Sequence, residues 1–127
     1  MTEKTILVAD DESHILNVVS LKLRNAGFRV LTACDGQEAL DIAIQERPDL
    51  LITDYHMPRL SGLELCRRMK QNEATALIPA IMLTARGYQL EPKDTAESGI
   101  RQMLSKPFSP RHLLATVNEI LLLGVAA

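Results

Sequence analysis

Three short apolar runs, each ending abruptly at a polar residue, constrain this chain more than any other feature. Thr5-Ile6-Leu7-Val8-Ala9 ends at Asp10-Asp11, Leu50-Leu51-Ile52-Thr53 at Asp54, and Ala80-Ile81-Met82-Leu83 at Thr84. Runs that are continuous rather than alternating suit strands covered on both faces, as in a parallel sheet. The segments between them carry helical spacing. Ile15, Leu16, Val19, Leu23 and Ala26 recur at three- and four-residue steps, with Gly27 where a helix ends. Phe28 to Ala33 reads as a second strand and Asp35-Gly36 as a turn pair. Ala39, Leu40, Ala43 and Ile44 mark a second helix closed by Pro48, and Leu63, Cys66 and Met69 face a third. The stretch from Ala85 to Ser98 predicts a long loop, then a short helix with Pro92 in its first turn. Met103 to Ser105 predicts a short fifth strand ending at Lys106-Pro107. Leu113, Leu114, Val117, Ile120 and Leu121 mark the last helix.

Five strand–helix units with short connections predict a doubly wound α/β sheet. The 127 residues suit one domain, with 46% hydrophobic and 24% charged residues arguing against disorder. The expectation is one domain over residues 1–127, with no output domain attached. A net charge of -2 supplies no field for general nucleic-acid binding. No secretory signal is seen, and no window approaches the roughly 20 apolar residues a membrane helix needs. Cys34 and Cys66 lack metal-site spacing and read as small buried hydrophobes in a reducing compartment. A cytoplasmic location is expected, with neither nucleic acid nor membrane as partner.

In a doubly wound sheet ligands bind outside the carboxyl ends of the strands, where strand order reverses. Those ends carry Asp10, Asp11, Asp54, Thr84 and Lys106. If the order is 2-1-3-4-5, three carboxylates converge on one cleft and need a cation or a shifted protonation equilibrium. Hard carboxylate oxygens without a Cys or His set suit Mg²⁺ better than zinc. Lys106 can neutralise a phosphoryl oxygen, the Thr84 hydroxyl can donate to another, and an Asp carboxylate can attack phosphorus to form an acyl phosphate. Singly, each residue reads as well as a loop charge, a helix cap or a strand-end hydroxyl. Their joint placement at four strand ends carries the argument.

The chain resembles the response-regulator receiver domain of two-component signalling. The matching stretches are Ile6-Leu7-Val8-Ala9-Asp10-Asp11-Glu12, Asp35-Gly36-Gln37-Glu38-Ala39-Leu40, Pro48-Asp49-Leu50-Leu51-Ile52-Thr53-Asp54, Met57-Pro58 with Gly62, Leu83-Thr84-Ala85, and Lys106-Pro107-Phe108. The resemblance implies a flavodoxin-like five-stranded fold. It implies Asp54 as phosphoacceptor and Asp11 as direct carboxylate ligand of Mg²⁺. Asp10 would act mainly through bound water, with the backbone carbonyl of His56 as a third protein ligand. It further implies Thr84 as switch hydroxyl, Lys106 as phosphate-binding cation, and a cis Lys106-Pro107 peptide. His56 and Arg86, two residues beyond Asp54 and Thr84, resemble positions that tune phosphoryl lifetime. His14 and His112, on predicted helices, are not phosphoacceptor candidates.

Departures from the family pattern carry their own expectations. Met103 stands where the family usually has a switching Tyr or Phe. Ile100 replaces a small residue, which would narrow access near Thr84 or fill core space left by Met103. Arg101-Gln102 replaces an acidic pair that supports a dimer in winged-helix regulators, so a monomer or weak dimer is expected. The helix around Pro92 is expected to be short, with order that responds to phosphorylation.

The reading is a phosphorylation-dependent signalling switch rather than an enzyme, assisting only its own phosphorylation and hydrolysis. Its partners would be a sensor histidine kinase or phosphotransfer protein, and a downstream protein at the face from Arg86 to Arg111. Alternatives are a docking module that takes no phosphate, kept open by Met103, and an Asp-nucleophile phosphatase. The adjacent acids on the first strand and the lack of length for a cap weigh against the phosphatase. A flavin carrier is disfavoured because no Gly/Ser/Thr-rich phosphate loop follows that strand. The apolar Leu121-Leu122-Leu123 could finish a helix, start a linker or cover a dimer seam.

Overall fold

Both faces of each central strand are covered, which is why the apolar runs are continuous. The computed structural model describes residues 3–85 and 91–126. Its elements are β1 (Thr5–Ala9), α1 (Ser13–Asn25), β2 (Arg29–Ala33), α2 (Gly36–Glu46) and β3 (Leu50–Asp54). They continue as α3 (Gly62–Gln71), β4 (Ala80–Thr84), α4 (Pro92–Ala96), β5 (Ile100–Ser105) and α5 (Pro110–Ala126). All strand pairs are parallel, in the order β2-β1-β3-β4-β5. The predicted flavodoxin-like sheet is therefore the observed one.

Period-two alternation sends successive side chains to opposite faces. Ile6, Val8, Leu50, Ile52, Ile81, Leu83 and Leu104 pack with Leu16, Val19 and Leu23 of α1 and Leu113, Val117 and Ile120 of α5. Leu7, Ala9, Leu51, Ala80 and Met82 pack with Ala39, Leu40 and Ala43 of α2 and Leu63, Cys66 and Met69 of α3. No helix among the described residues is long and apolar enough to cross a membrane.

Three local readings need correction. Asp35-Gly36 is a helix start rather than a turn. Asp35 is the N-cap of α2, and its carboxylate accepts from Glu38 N at 2.8 Å while Glu38 Oε1 accepts from Cys34 N at 2.6 Å. This reciprocal pairing is close to a capping box. β5 begins at Ile100, three residues earlier than the apolar pattern suggests, because Arg101 and Gln102 are exposed along a sheet edge. A bulge opposite Ala80 and Ile81 shifts the register there, so Ile100 and Met103 both join the α2/α3 side. Ile100 pairs with Ala80, at the far end of β4 from Thr84, and fills core, as the second of its two expected readings has it. Finally, Cys34 is exposed; Cys66 alone is a buried hydrophobe, its thiol pushed up to about 12 by burial.

Candidate functional site

The hydrogen-bond ladder runs past the strand ends and so fixes the residues just beyond them. Asp10 N donates to Ala33 O at 3.1 Å, Tyr55 N to Leu83 O at 2.9 Å, and Lys106 N to Thr84 O at 2.8 Å. Asp10, Asp54 and Lys106 thereby hang from the carboxyl ends of three strands, β1, β3 and β5. β1 and β3 are neighbours there, although β2 lies between them in sequence.

Lys106 Nζ lies 3.0 Å from Glu12 Oε1, 3.2 Å from Asp54 Oδ1 and 3.4 Å from Asp10 Oδ2. The Asp10 side chain is fully buried and that of Asp54 is 9% exposed. Asp10 Oδ1 also accepts from Glu12 N at 2.9 Å. Burial pushes the Asp54 carboxyl above its ordinary value; Lys106 opposes this and the charge of Asp11 adds to it. Asp10 is likewise raised, by burial first and by Asp54, against the Glu12 N–H and Lys106. For Lys106, burial works against the charge, but Glu12, Asp10 and Asp54 together hold the ammonium above its usual value.

One oxygen each from Asp10, Glu12 and Asp54 lies within 4.8 Å of the other two. The two buried aspartates of this group are hard donors that fit Mg²⁺ and give a thiophilic metal nothing to hold, while Glu12 is drawn in by Lys106. Asp11 is exposed and outside that tight group, although its charge reaches Asp54. Glu12 has the closer place. In the sequence Glu12 stands out only as part of the Asp10-Asp11-Glu12 motif, with no role of its own. An acid three residues past the strand offers no periodic signal that its side chain folds back.

Thr84 is buried, and its Oγ1 has no hydrogen-bond partner among the described residues. Its alternate neighbours Ala80 and Met82 belong to the α2/α3 side, so the pleat carries the Thr84 side chain there, the side on which Met103 packs. Ser61 caps α3 through its hydroxyl, which accepts from Glu64 N, and Gly62 N donates to Tyr55 O at 2.7 Å. A Cβ on Gly62 would run into the Asp54 carbonyl oxygen, so glycine allows the β3–α3 loop to close against the strand that carries Asp54. His56 is exposed on that loop, its ring edge-on to Tyr55 at 4.8 Å. Arg86 lies outside the described residues. Lys106-Pro107 is cis.

A doubly wound sheet with carboxylates, a hydroxyl and a lysine at its carboxyl edge is an α/β domain of the receiver type. The chain belongs to the response regulator receiver domain family, whose model matches residues 6–118. It is 40% identical over 121 residues to the phosphate regulon transcriptional regulatory protein PhoB of Pseudomonas aeruginosa, covering 95% of this chain and 53% of that protein. The chain thus spans about half the length of the curated relatives it matches. Its fold superposes on the chemotaxis response regulator CheY4 of Vibrio cholerae with a TM-score of 0.86 at 34% identity, covering 94% of this chain and 99% of that one. It also matches the receiver domain of sensor histidine kinase PA1611 from Pseudomonas aeruginosa at 28% identity and a TM-score of 0.83, over 94% and 98% of the two chains. That structure has a magnesium ion coordinated in its active-site cleft. Receiver domains are signalling modules that interact with histidine kinases or phosphotransfer proteins, not enzymes in the ordinary sense.

Proposed function

We propose that this chain is a phosphorylation-dependent switch with Asp54 as its phosphoacceptor. A carboxylate oxygen of Asp54 attacks the phosphorus of a phosphohistidine on a kinase or phosphotransfer protein. The P–N bond breaks, the imidazole leaves, and an acyl phosphate forms on Asp54. Asp10, Asp11, Asp54 and the His56 carbonyl are the proposed holders of Mg²⁺, which when bound supplies positive charge against the phosphoryl oxygens. Lys106 exchanges carboxylate partners for a phosphoryl oxygen. The new group brings nearly two negative charges to the edge of the sheet.

The observation that carries this reading is the orphaned Thr84 hydroxyl. A buried hydroxyl without a partner costs about 1–3 kcal/mol. Turned towards β3, Thr84 would satisfy that hydroxyl on a phosphoryl oxygen and vacate space beside Met103. Phosphorylation then changes packing along β4 and β5 and the downstream surface from Arg86 to Arg111, with two states close in energy. Met103 follows the cavity as an apolar, flexible filler rather than as an aromatic rotor. His56 and Arg86 are the proposed tuners of phosphoryl lifetime.

Acetyl phosphate and Mg²⁺ with intact-mass detection provide the test. The parent is expected to gain one phosphoryl group and Asp54→Asn none. No gain in the parent, with Mg²⁺ bound, the product trapped quickly and a cognate kinase also tried, would leave a docking module as the better reading.

A further inference from the structure

We propose that Glu12 is a positioning residue that competes with the phosphoryl group for Lys106 and so limits how tightly the site holds it. This rests on the function proposed above. Glu12 occupies the N-cap of α1 with extended backbone (φ -90°, ψ 109°), yet its side chain makes no capping hydrogen bond. Asp35 and Ser61 do cap α2 and α3 through their side chains. Helix starts favour Ser, Thr, Asp and Asn because a short side chain can reach the free N–H groups of the first turn. α1 forgoes that cap. A residue that breaks a local rule with no local gain points to a role elsewhere.

The Glu12 carboxylate goes instead to Lys106 Nζ, 94 residues away, at 3.0 Å. That is shorter than either aspartate contact. An ammonium has three protons, and three carboxylates surround this one. A phosphoryl oxygen on Asp54 takes over the proton that Asp54 Oδ1 held, and a second one can reach Lys106 only by displacing Asp10 or Glu12. Asp10 and Asp54 are buried and fixed by the strand ladder. Glu12 has the longer side chain, 59% exposed, and returns to water at little cost. Glu12 therefore yields, and its charge also repels the incoming group. Both effects have the same sign.

Beryllium fluoride in saturating Mg²⁺ serves as the phosphoryl mimic, with its Kd read by NMR titration. Glu12→Gln is expected to bind it about two- to fivefold more tightly than the parent, the range of a partly exposed ion pair. Glu12→Asp separates position from charge. It keeps the carboxylate but is one methylene too short for Lys106, and it can cap α1. It is expected to bind beryllium fluoride more tightly than the parent but less tightly than the Gln variant, and to exceed that variant in thermal stability. The Kd for Mg²⁺ alone is expected to stay within about twofold in both variants. Unchanged or weaker mimic binding in Glu12→Gln would overturn the proposal. So would Glu12→Asp binding like the parent, which would leave net charge as the cause. A marked loss of Mg²⁺ affinity would also overturn it and make Glu12 a metal ligand. Failure of the functional reading is distinct, because then the parent itself binds no mimic.

Discussion

Gly62 illustrates how one missing side chain can place a reactive one. Its N–H holds Tyr55 O, and any Cβ there would meet the backbone of Asp54. Gly62→Ala is expected to cost about 1–3 kcal/mol, the usual range for overpacking a filled site. It should also lower the rate of phosphorylation by acetyl phosphate, since the acceptor itself must shift. Urea unfolding and a mass-detected time course check the two parts; a variant with parental values in both would show that the loop relaxes freely. Asp10, Asp54, Thr84 and Lys106 were legible in the sequence because each ends an apolar run, and a strand end is a location as well as a residue. Glu12 was not legible, because only the folded chain shows that its side chain bends back to Lys106. Nor was the orphaned state of the Thr84 hydroxyl, which depends on what the neighbouring strands fail to offer.

Among the elements, α4 is the shortest helix, Pro92–Ala96, with Pro92 preset for the first turn. So short a helix has little stability of its own. It is tied to α3 by side chains. Arg67 pairs with Asp94, and its Nε lies 3.6 Å from Glu97. Lys70 Nζ reaches Ala96 O at 3.3 Å, and Ser98 Oγ donates to Asp94 O at 2.8 Å. Sequence reading found the helix and its Pro92 start but not this tether, because Arg67 and Asp94 lie on different elements with no shared periodicity. Arg67→Ala is expected to raise amide exchange across residues 93–98 about tenfold or more while leaving β1 and β3 protected. Equal exchange in variant and parent would mean that α4 is held by backbone and packing alone. The same limit explains β5: its first residues are polar on an exposed edge, so the apolar pattern reports only the buried half.

At the level of the whole molecule, the fold was the most legible feature. A strand buried on both faces can be nothing but apolar, and three such runs leave few alternatives to a doubly wound sheet. The cost of function also appears at this scale. Asp10 and Asp54 titrate above their ordinary value of 3.8. The folded state thus binds their protons more tightly than the unfolded chain does. Their contribution favours folding below about 3.8 and is lost as pH rises through the raised folded values. Asp54→Asn removes one of these charges. In EDTA at pH 7 it is expected to be more stable than the parent by about 1 kcal/mol, a few degrees in Tm. That advantage should shrink as the pH falls through the raised value of the parent's Asp54, where its carboxylate takes up a proton. A pH series of melting curves decides it: a constant difference, or one that widens in acid, would contradict the desolvation argument.

Lys106 meets Asp10 across 96 residues and follows directly on the last strand of the sheet. During synthesis the three acids therefore leave the ribosome long before their ammonium does. A half-made chain can expose Asp54 but has no cation to set between its carboxylates and no β5 to receive a moving Thr84. On the proposed mechanism it can neither take a phosphoryl group efficiently nor relay one. On that mechanism competence begins only when translation has passed the final strand.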